Sequence, residues 1–268
     1  MIRLRVEPLP AKALQQLKRY QDAIDTLPDY AQRVAAAKEW FPKRQRSGKA
    51  TFAVIRDTLQ KMCPGTGRCV YCEDNMADEI DHFQPKDIYP ELVFAWENFL
   101  YACGPCNGPK SNRYAVFSNA TGWLMEISRQ EGAPIIEPEV GDPVLINPRK
   151  ENPLEFLFLD LWGTFEFKPL AEKRTVAYQR AEYTIEVLRL NKRPALLQIR
   201  KAAFQAYDAL LHKYIHAKTD GDQDHLENLR AAVQNLGHTT VWEEIKRQRN
   251  SIPHLNALFE KAPEALSW

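Results

Sequence analysis

Two Cys-x-x-Cys pairs, Cys69-Val-Tyr-Cys72 and Cys103-Gly-Pro-Cys106, are separated by 30 residues in a chain that holds only five cysteines. Four thiols in that pattern can close a tetrahedral Zn²⁺ site. Four thiolates would also fill the coordination sphere and leave no position for water, so the zinc is expected to be structural. A motif this small buries little apolar area by itself, and the metal would supply much of its local stability.

The residues between and just after the pairs can do chemistry of a different kind. They run Glu79-Ile-Asp81-His82-Phe-Gln-Pro85, then Trp96-Glu-Asn98, then Asn107 directly after the last thiol, then Lys110. Asp81 is a hard oxygen donor suited to Mg²⁺ or Mn²⁺. His82 titrates near neutral pH and can take a proton from water. Neighbours on a strand point to opposite faces, so both serve one site only if the strand ends or bulges there. Pro85 makes an early end reasonable. The amide oxygen of Asn98 could accept from the imidazole and fix its tautomer. Asn107, set rigidly by the adjoining zinc ligand, could give the cation a second oxygen. Lys110, one turn further on, could neutralise a scissile phosphate or be a solvated helix lysine.

This set of residues resembles the HNH endonuclease motif with a zinc-bound ββα-metal core. The resemblance covers about 45 of the 268 residues. It implies that His82 is the general base, Asp81 and Asn107 bind the catalytic Mg²⁺ or Mn²⁺, and Asn98 positions the base. Asn107 stands where the literal pattern has its last His, a replacement that many members share. A narrower resemblance rests on Met-Ile-Arg-Leu-Arg at the start, Asp87-Ile-Tyr-Pro-Glu-Leu, and Thr184-Ile-Glu-Val-Leu-Arg-Leu-Asn191. These are similar to the HNH subunit of Septu-type and retron-associated antiviral systems, which implies an ATPase partner docked on the C-terminal helices and an oligomer formed through it.

The elements that must hold these residues are mostly helical. Leu14, Leu17, Tyr20 and Ile24 recur at helical spacing over Ala11 to Ile24; further helices are expected over 30–40 and 49–62. Short strands are expected over 79–83 and 99–102, and a helix over 103–114. Residues 115–150, with Pro134, Pro138, Pro143 and Pro148, read as irregular. A strand-turn-strand over 156–167 precedes helices over 171–188, 192–218, 222–236, 239–249 and 253–261. The expected fold class is therefore α+β and mostly helical. Its parts are an N-terminal helical region (1–62), a zinc-stabilised core (63–118), an irregular linker with a hairpin (119–170) and a C-terminal helical region (171–268).

Composition narrows the partners. No run of 18 apolar residues is present and the first residues carry no secretory pattern, so a cytoplasmic protein without a membrane segment is expected. Paired cysteines in a reducing compartment favour a metal over disulfides. Net charge is only +1, and affinity for a polyanion must come from local patches. Residues 41–70 hold seven Lys/Arg against Asp57, and 73–97 hold eight acids against Lys86. That order suits an enzyme that grips phosphates beside a divalent cation, and equally a solvated helix followed by an acidic loop. Cys63 reads as an incidental thiol. His212 and His216, four apart, read as a helix-surface pair, and Lys192, Arg193, Arg200, Lys201 and Lys213 make one helix basic.

The expected function is a Mg²⁺- or Mn²⁺-dependent endonuclease on DNA, working in antiphage defence with an ATPase. Cleavage of RNA such as a tRNA, or a catalytically silent zinc-dependent binding module, are the alternatives.

Overall fold

The computed structural model describes residues 1–65, 67–129 and 132–268. The fold is α+β and mostly helical. Helices α1 (Ala11–Asp25), α2 (Tyr30–Ser47) and α3 (Lys49–Met62) open the chain. Ala13, Leu17 and Ile24 turn the inner face of α1 to the core, whereas Leu14 is 46% exposed and lies outside the stripe counted for it. Helix α2 continues past Pro42 to Ser47 instead of stopping near Trp40. An internal proline forfeits a helical hydrogen bond. Phe41, packed edge-on against Phe52 and Phe99 at 5.8 and 5.9 Å, anchors that end.

The centre of the molecule is a two-stranded antiparallel ribbon and a short helix. β1 (Glu79–His82) pairs with β2 (Phe99–Ala102) in the register Glu79↔Ala102 and His82↔Phe99. Helix α4 (Gly104–Lys110) follows β2 directly. It has 7 residues and stops short of the expected 103–114, because the positive φ of Ser111 (40°) ends it.

The stretch expected to be irregular instead carries a three-stranded antiparallel sheet of β3 (Tyr114–Ser118), β4 (Leu124–Ile127) and β5 (Gly141–Pro143), ordered β4-β3-β5. β3 is buried on both faces and so shows no apolar–polar alternation in the sequence. Pro143 is tolerated because β5 is an edge strand. A side chain on Gly141 would collide with the Phe117 carbonyl, so β5 needs glycine to reach β3. β6 (Leu157–Leu159) and β7 (Phe167–Pro169) form the expected hairpin, with its second strand displaced toward Pro169.

Helices α5 (Val176–Val187), α6 (Pro194–Asp220), α7 (Gln223–Asn235), α8 (Thr239–Gln248) and α9 (Pro253–Lys261) complete the chain. Among the described residues no helix is long and apolar enough to cross a membrane.

The loop between β1 and β2 is held from two sides. On the N-terminal side, the Gln21 amide donates to the Pro90 carbonyl at 3.0 Å and accepts from the Phe94 amide at 2.9 Å. On the other side, the guanidinium of Arg149 is buried and donates to the carbonyls of Trp96 and Phe99 at 2.6 and 2.7 Å. The Thr240 amide, in the first turn of α8, donates to the buried Glu73 carboxylate at 2.8 Å, beside the first thiol pair. The segment between β2 and β1 is thus held from two sides, which is what a site built on loop residues needs.

Candidate functional site

The four cysteines meet although 30 residues separate the pairs. Cys69, Cys72, Cys103 and Cys106 are all buried, and their Sγ atoms lie within 4.8 Å of one another. Each pair sits on a tight knuckle. The Cys69 amide donates to the Asn75 carbonyl at 2.8 Å while the Glu73 amide returns to the Cys69 carbonyl at 2.9 Å. In the second knuckle the amides of Cys106 and Asn107 both donate to the Cys103 carbonyl, at 3.0 and 2.9 Å. A Zn–S bond of about 2.3 Å implies tetrahedral S···S edges of about 3.8 Å, and Cys72 and Cys103 stand 3.7 Å apart. The four residues therefore fit zinc in donor type, number and spacing.

Partners outside the cluster complete the fit. Arg193, just before α6, donates to Cys106 Sγ at 3.2 Å, and the Asn75 amide reaches Cys103 Sγ at 3.7 Å. Four thiolates around Zn²⁺ carry net negative charge, which the guanidinium offsets. Arg193 was read from sequence only as part of a basic stripe. The stripe does not act as one unit: Arg200 is fully buried and donates to the Phe165 and Leu190 carbonyls at 3.0 and 2.9 Å.

Asp81 lies one layer from the four thiols. Its Oδ2 accepts from the Tyr71 hydroxyl at 2.6 Å, and its Oδ1 accepts from the Lys110 ammonium at 2.9 Å. Tyr71 is fully buried inside the first Cys-x-x-Cys pair. Burial, reinforced by the Asp81 charge, holds its phenol well above the usual range, so it remains a hydrogen-bond donor. Lys110 is 0% exposed and also donates to the His82 carbonyl at 2.7 Å. It is neither the solvated lysine nor a free phosphate contact: the docking of α4 on β1 turns it inward, where its charge answers that of Asp81.

His82 is the last residue of β1 and is buried. Its Nε2 stands 2.8 Å from the Val93 carbonyl. A carbonyl can only accept, so Nε2 carries the hydrogen and a neutral ring keeps its lone pair on Nδ1. Burial pushes the imidazole down to about 3; the Val93 contact opposes this, while Lys86 and Lys110 add to it. The ring is neutral at pH 7. Phe41 and Phe99 pack edge-on against it at 4.4 and 5.3 Å and fix its plane.

The tautomer is therefore set by Val93, and Asn98 does not touch the imidazole. Its Oδ1 accepts from the Gln84 amide at 2.8 Å, and its Nδ2 donates to the Gln84 and Leu92 carbonyls at 2.9 and 3.1 Å. Asn98 pins the loop that carries Val93 and acts on His82 only through it. Nothing in the residue type at position 93 signals its role, since the backbone supplies the contact.

Asn107 is half-buried on α4, and its Nδ2 donates to Glu79 Oε2 at 2.7 Å. Asp81, His82 and Asn107 line one cavity of about 250 Å³, together with Phe41, Pro85, Lys86 and Asn112. The structure thus brings these three together; Asn98 lies behind the loop and Lys110 beneath Asp81. A larger cavity of about 660 Å³ is lined by Phe83, Gln84, Asn98, Phe117 and Arg180 and holds none of the three. The three candidate residues thus share the smaller cavity. Asp81 and Asn107 provide a carboxylate and a carboxamide oxygen, donors suited to Mg²⁺ or Mn²⁺. A cation there would share the Asp81 charge with Lys110.

The remaining candidates separate cleanly. Burial pushes the Cys63 thiol up to about 12, which makes it inert. His212 and His216 each face an acid four residues away, Asp208 at 3.8 Å and Asp220 at 2.7 Å. Among the described residues, the four cysteines are the one group of three or more Cys, His, Asp or Glu side chains placed to share a metal.

No model of a known protein family matches the chain. Over 48 residues it is 48% identical to Septu protein PtuB of Bacillus thuringiensis, a stretch that is 16% of this chain and 19% of that protein. The matched part is thus about a fifth of the length of the relative, and the chain is similar to it there.

Proposed function

We propose that the chain is a metal-dependent endonuclease of the HNH type that hydrolyses phosphodiester bonds of DNA. The observation that carries this reading is the shared cavity. It is lined by a neutral, oriented imidazole with a free Nδ1, by the Asp81 carboxylate and by the Asn107 carboxamide.

In this mechanism the Val93 carbonyl holds Nε2–H, so that Nδ1 receives the proton of the attacking water. Asn98 holds the loop, and with it Val93, in register. Phe41 and Phe99 exclude bulk water from the buried side of the ring. Asp81 and Asn107 would hold the divalent cation, which supplies stabilisation for the negative charge growing on the phosphate and on the leaving oxygen. An incoming phosphodiester anion would favour imidazolium and raise the low proton affinity of the free site toward the working pH. Zinc on the four cysteines fixes β1, through Tyr71, and α4.

The likeness to Septu protein PtuB supports a place in antiphage defence; an ATPase partner subunit, and assembly through it, are part of this proposal. One active site cuts one strand, so two protomers or two visits are needed for a double-strand break.

One observation favours a second reading. Both Asp81 oxygens are already engaged by Tyr71 and Lys110, as in a zinc-dependent binding module that holds no catalytic cation. Cleavage of plasmid DNA and of total RNA, each with Mg²⁺, Mn²⁺ or chelator, separates the readings. DNA cleavage that needs metal and is lost in Asp81→Ala supports the endonuclease. Chelator-resistant cleavage of RNA alone supports an RNase, and binding that survives Asp81→Ala without any cleavage supports the module.

A further inference from the structure

We propose that Glu79 is a positioning residue that fixes the Asn107 carboxamide so that its oxygen, and not its nitrogen, is offered to the divalent cation. This rests on the metal-dependent reading of the cavity and deepens it. The Asn107 Nδ2 donates to Glu79 Oε2 at 2.7 Å. A carboxylate can only accept hydrogen bonds, so the end of the amide turned toward Glu79 must be the NH₂. Oxygen and nitrogen branch from one planar carbon. Holding the nitrogen on Glu79 therefore turns the oxygen away from it, and oxygen is the end with lone pairs for a hard cation.

The surrounding geometry agrees. Asn107 lines the cavity beside Asp81 and His82, whereas Glu79 does not. Glu79 and Asp81 are two residues apart on β1 and share a face of the ribbon, the face on which α4 lies. Helix α4 begins with Gly104, where an added Cβ would stand 3.3 Å from Glu79 Oε1. A side chain there would crowd the carboxylate, and glycine leaves it room to face Asn107. In the absence of Glu79 the amide can turn over with its NH₂ toward the cation, because the two orientations have nearly the same shape.

The test measures Mn²⁺ binding by electron paramagnetic resonance of the zinc-loaded full chain, in wild type, Glu79→Ala, Asn107→Asp, the double variant and Asp81→Ala. The Glu79–Asn107 contact is exposed, so Glu79→Ala should weaken Mn²⁺ by about 2- to 10-fold. Asp at position 107 has two equivalent oxygens and needs no orienting partner. In that background Glu79→Ala should weaken binding by less than about 2-fold. Zinc content and circular dichroism should be unchanged in Glu79→Ala, which separates positioning from loss of structure. Equal weakening in both backgrounds would make Glu79 a ligand or a simple field effect and overturn the proposal. No effect in either background would overturn it too, with the cation reading intact. Wild type that binds no Mn²⁺ sensitive to Asp81→Ala would overturn both.

Discussion

Tyr71 lies between two cysteines of the four-thiol cluster, Cys69 and Cys72, and its hydroxyl donates to the carboxylate of Asp81 at 2.6 Å. The metal knuckle and the proposed cation ligand are thereby one mechanical unit, since Tyr71 cannot move without Cys69 and Cys72. Tyr71→Phe keeps the ring and removes only the hydroxyl. It should retain zinc at the wild-type level and lower stability by about 1–3 kcal/mol, the cost of leaving a buried acceptor short of a partner. Zinc content by mass spectrometry with urea unfolding checks both halves.

Lys110 and Asp81 form a buried pair, 0% and 3% exposed. Breaking such a pair from one side leaves an uncompensated charge and costs about 3–5 kcal/mol. Lys110→Met should therefore destabilise by that amount, and adding Asp81→Asn should recover a large part of it. A double-mutant cycle in denaturant reads the coupling. Additive losses would mean that Lys110 acts elsewhere.

The pair also explains what the sequence could not disclose. The Cys-x-x-Cys spacing is a local rule of coordination, so the meeting of the four thiols was legible directly. Asp81, His82 and Asn107 were legible by residue type, and they meet in one cavity because β1 ends at His82. Lys110 was misjudged because its direction depends on how α4 docks, which no local pattern encodes. The role expected of Asn98 belongs to the Val93 carbonyl, and a backbone group has no residue signature. Glu79 stood in the motif without a role, since only the geometry shows which amide it faces. The sheet of β3, β4 and β5 was hidden because a strand buried on both faces does not alternate.

Zinc removal should undo the site from its frame outward. Cys103→Ser leaves three thiolates and breaks the second knuckle. We expect loss of zinc together with loss of the rigid environment of Tyr71, seen in near-ultraviolet circular dichroism. Most far-ultraviolet signal should remain, because α1, α2 and α3 pack on one another and α7, α8 and α9 pack on α6. A zinc-free variant with unchanged near-ultraviolet spectrum would contradict the structural role.

His82 gives stability a pH dependence of known sign. Burial pushes its pKa down to about 3 in the fold, against about 6.5 in the unfolded chain. Between those values the unfolded state takes up a proton that the folded state refuses. The contribution is fully present above about pH 6.5 and declines as pH falls toward 3, by at most about 1.4 kcal/mol per pH unit. Stability measured from pH 7 to 5 should fall less steeply in His82→Ala than in wild type. Equal slopes would mean that the imidazole is not held neutral.

The central claim is that His82 is the base of a metal-dependent nuclease, and nicking of supercoiled plasmid tests it most directly. Zinc-loaded wild type and His82→Ala would be compared in Mg²⁺, Mn²⁺ and chelator, each with and without a candidate ATPase partner. The account predicts metal-dependent cleavage by wild type and a loss of at least about 100-fold in His82→Ala, the scale of general-base catalysis, at unchanged zinc content. Cleavage retained in His82→Ala, or none by wild type with the partner present, would contradict it.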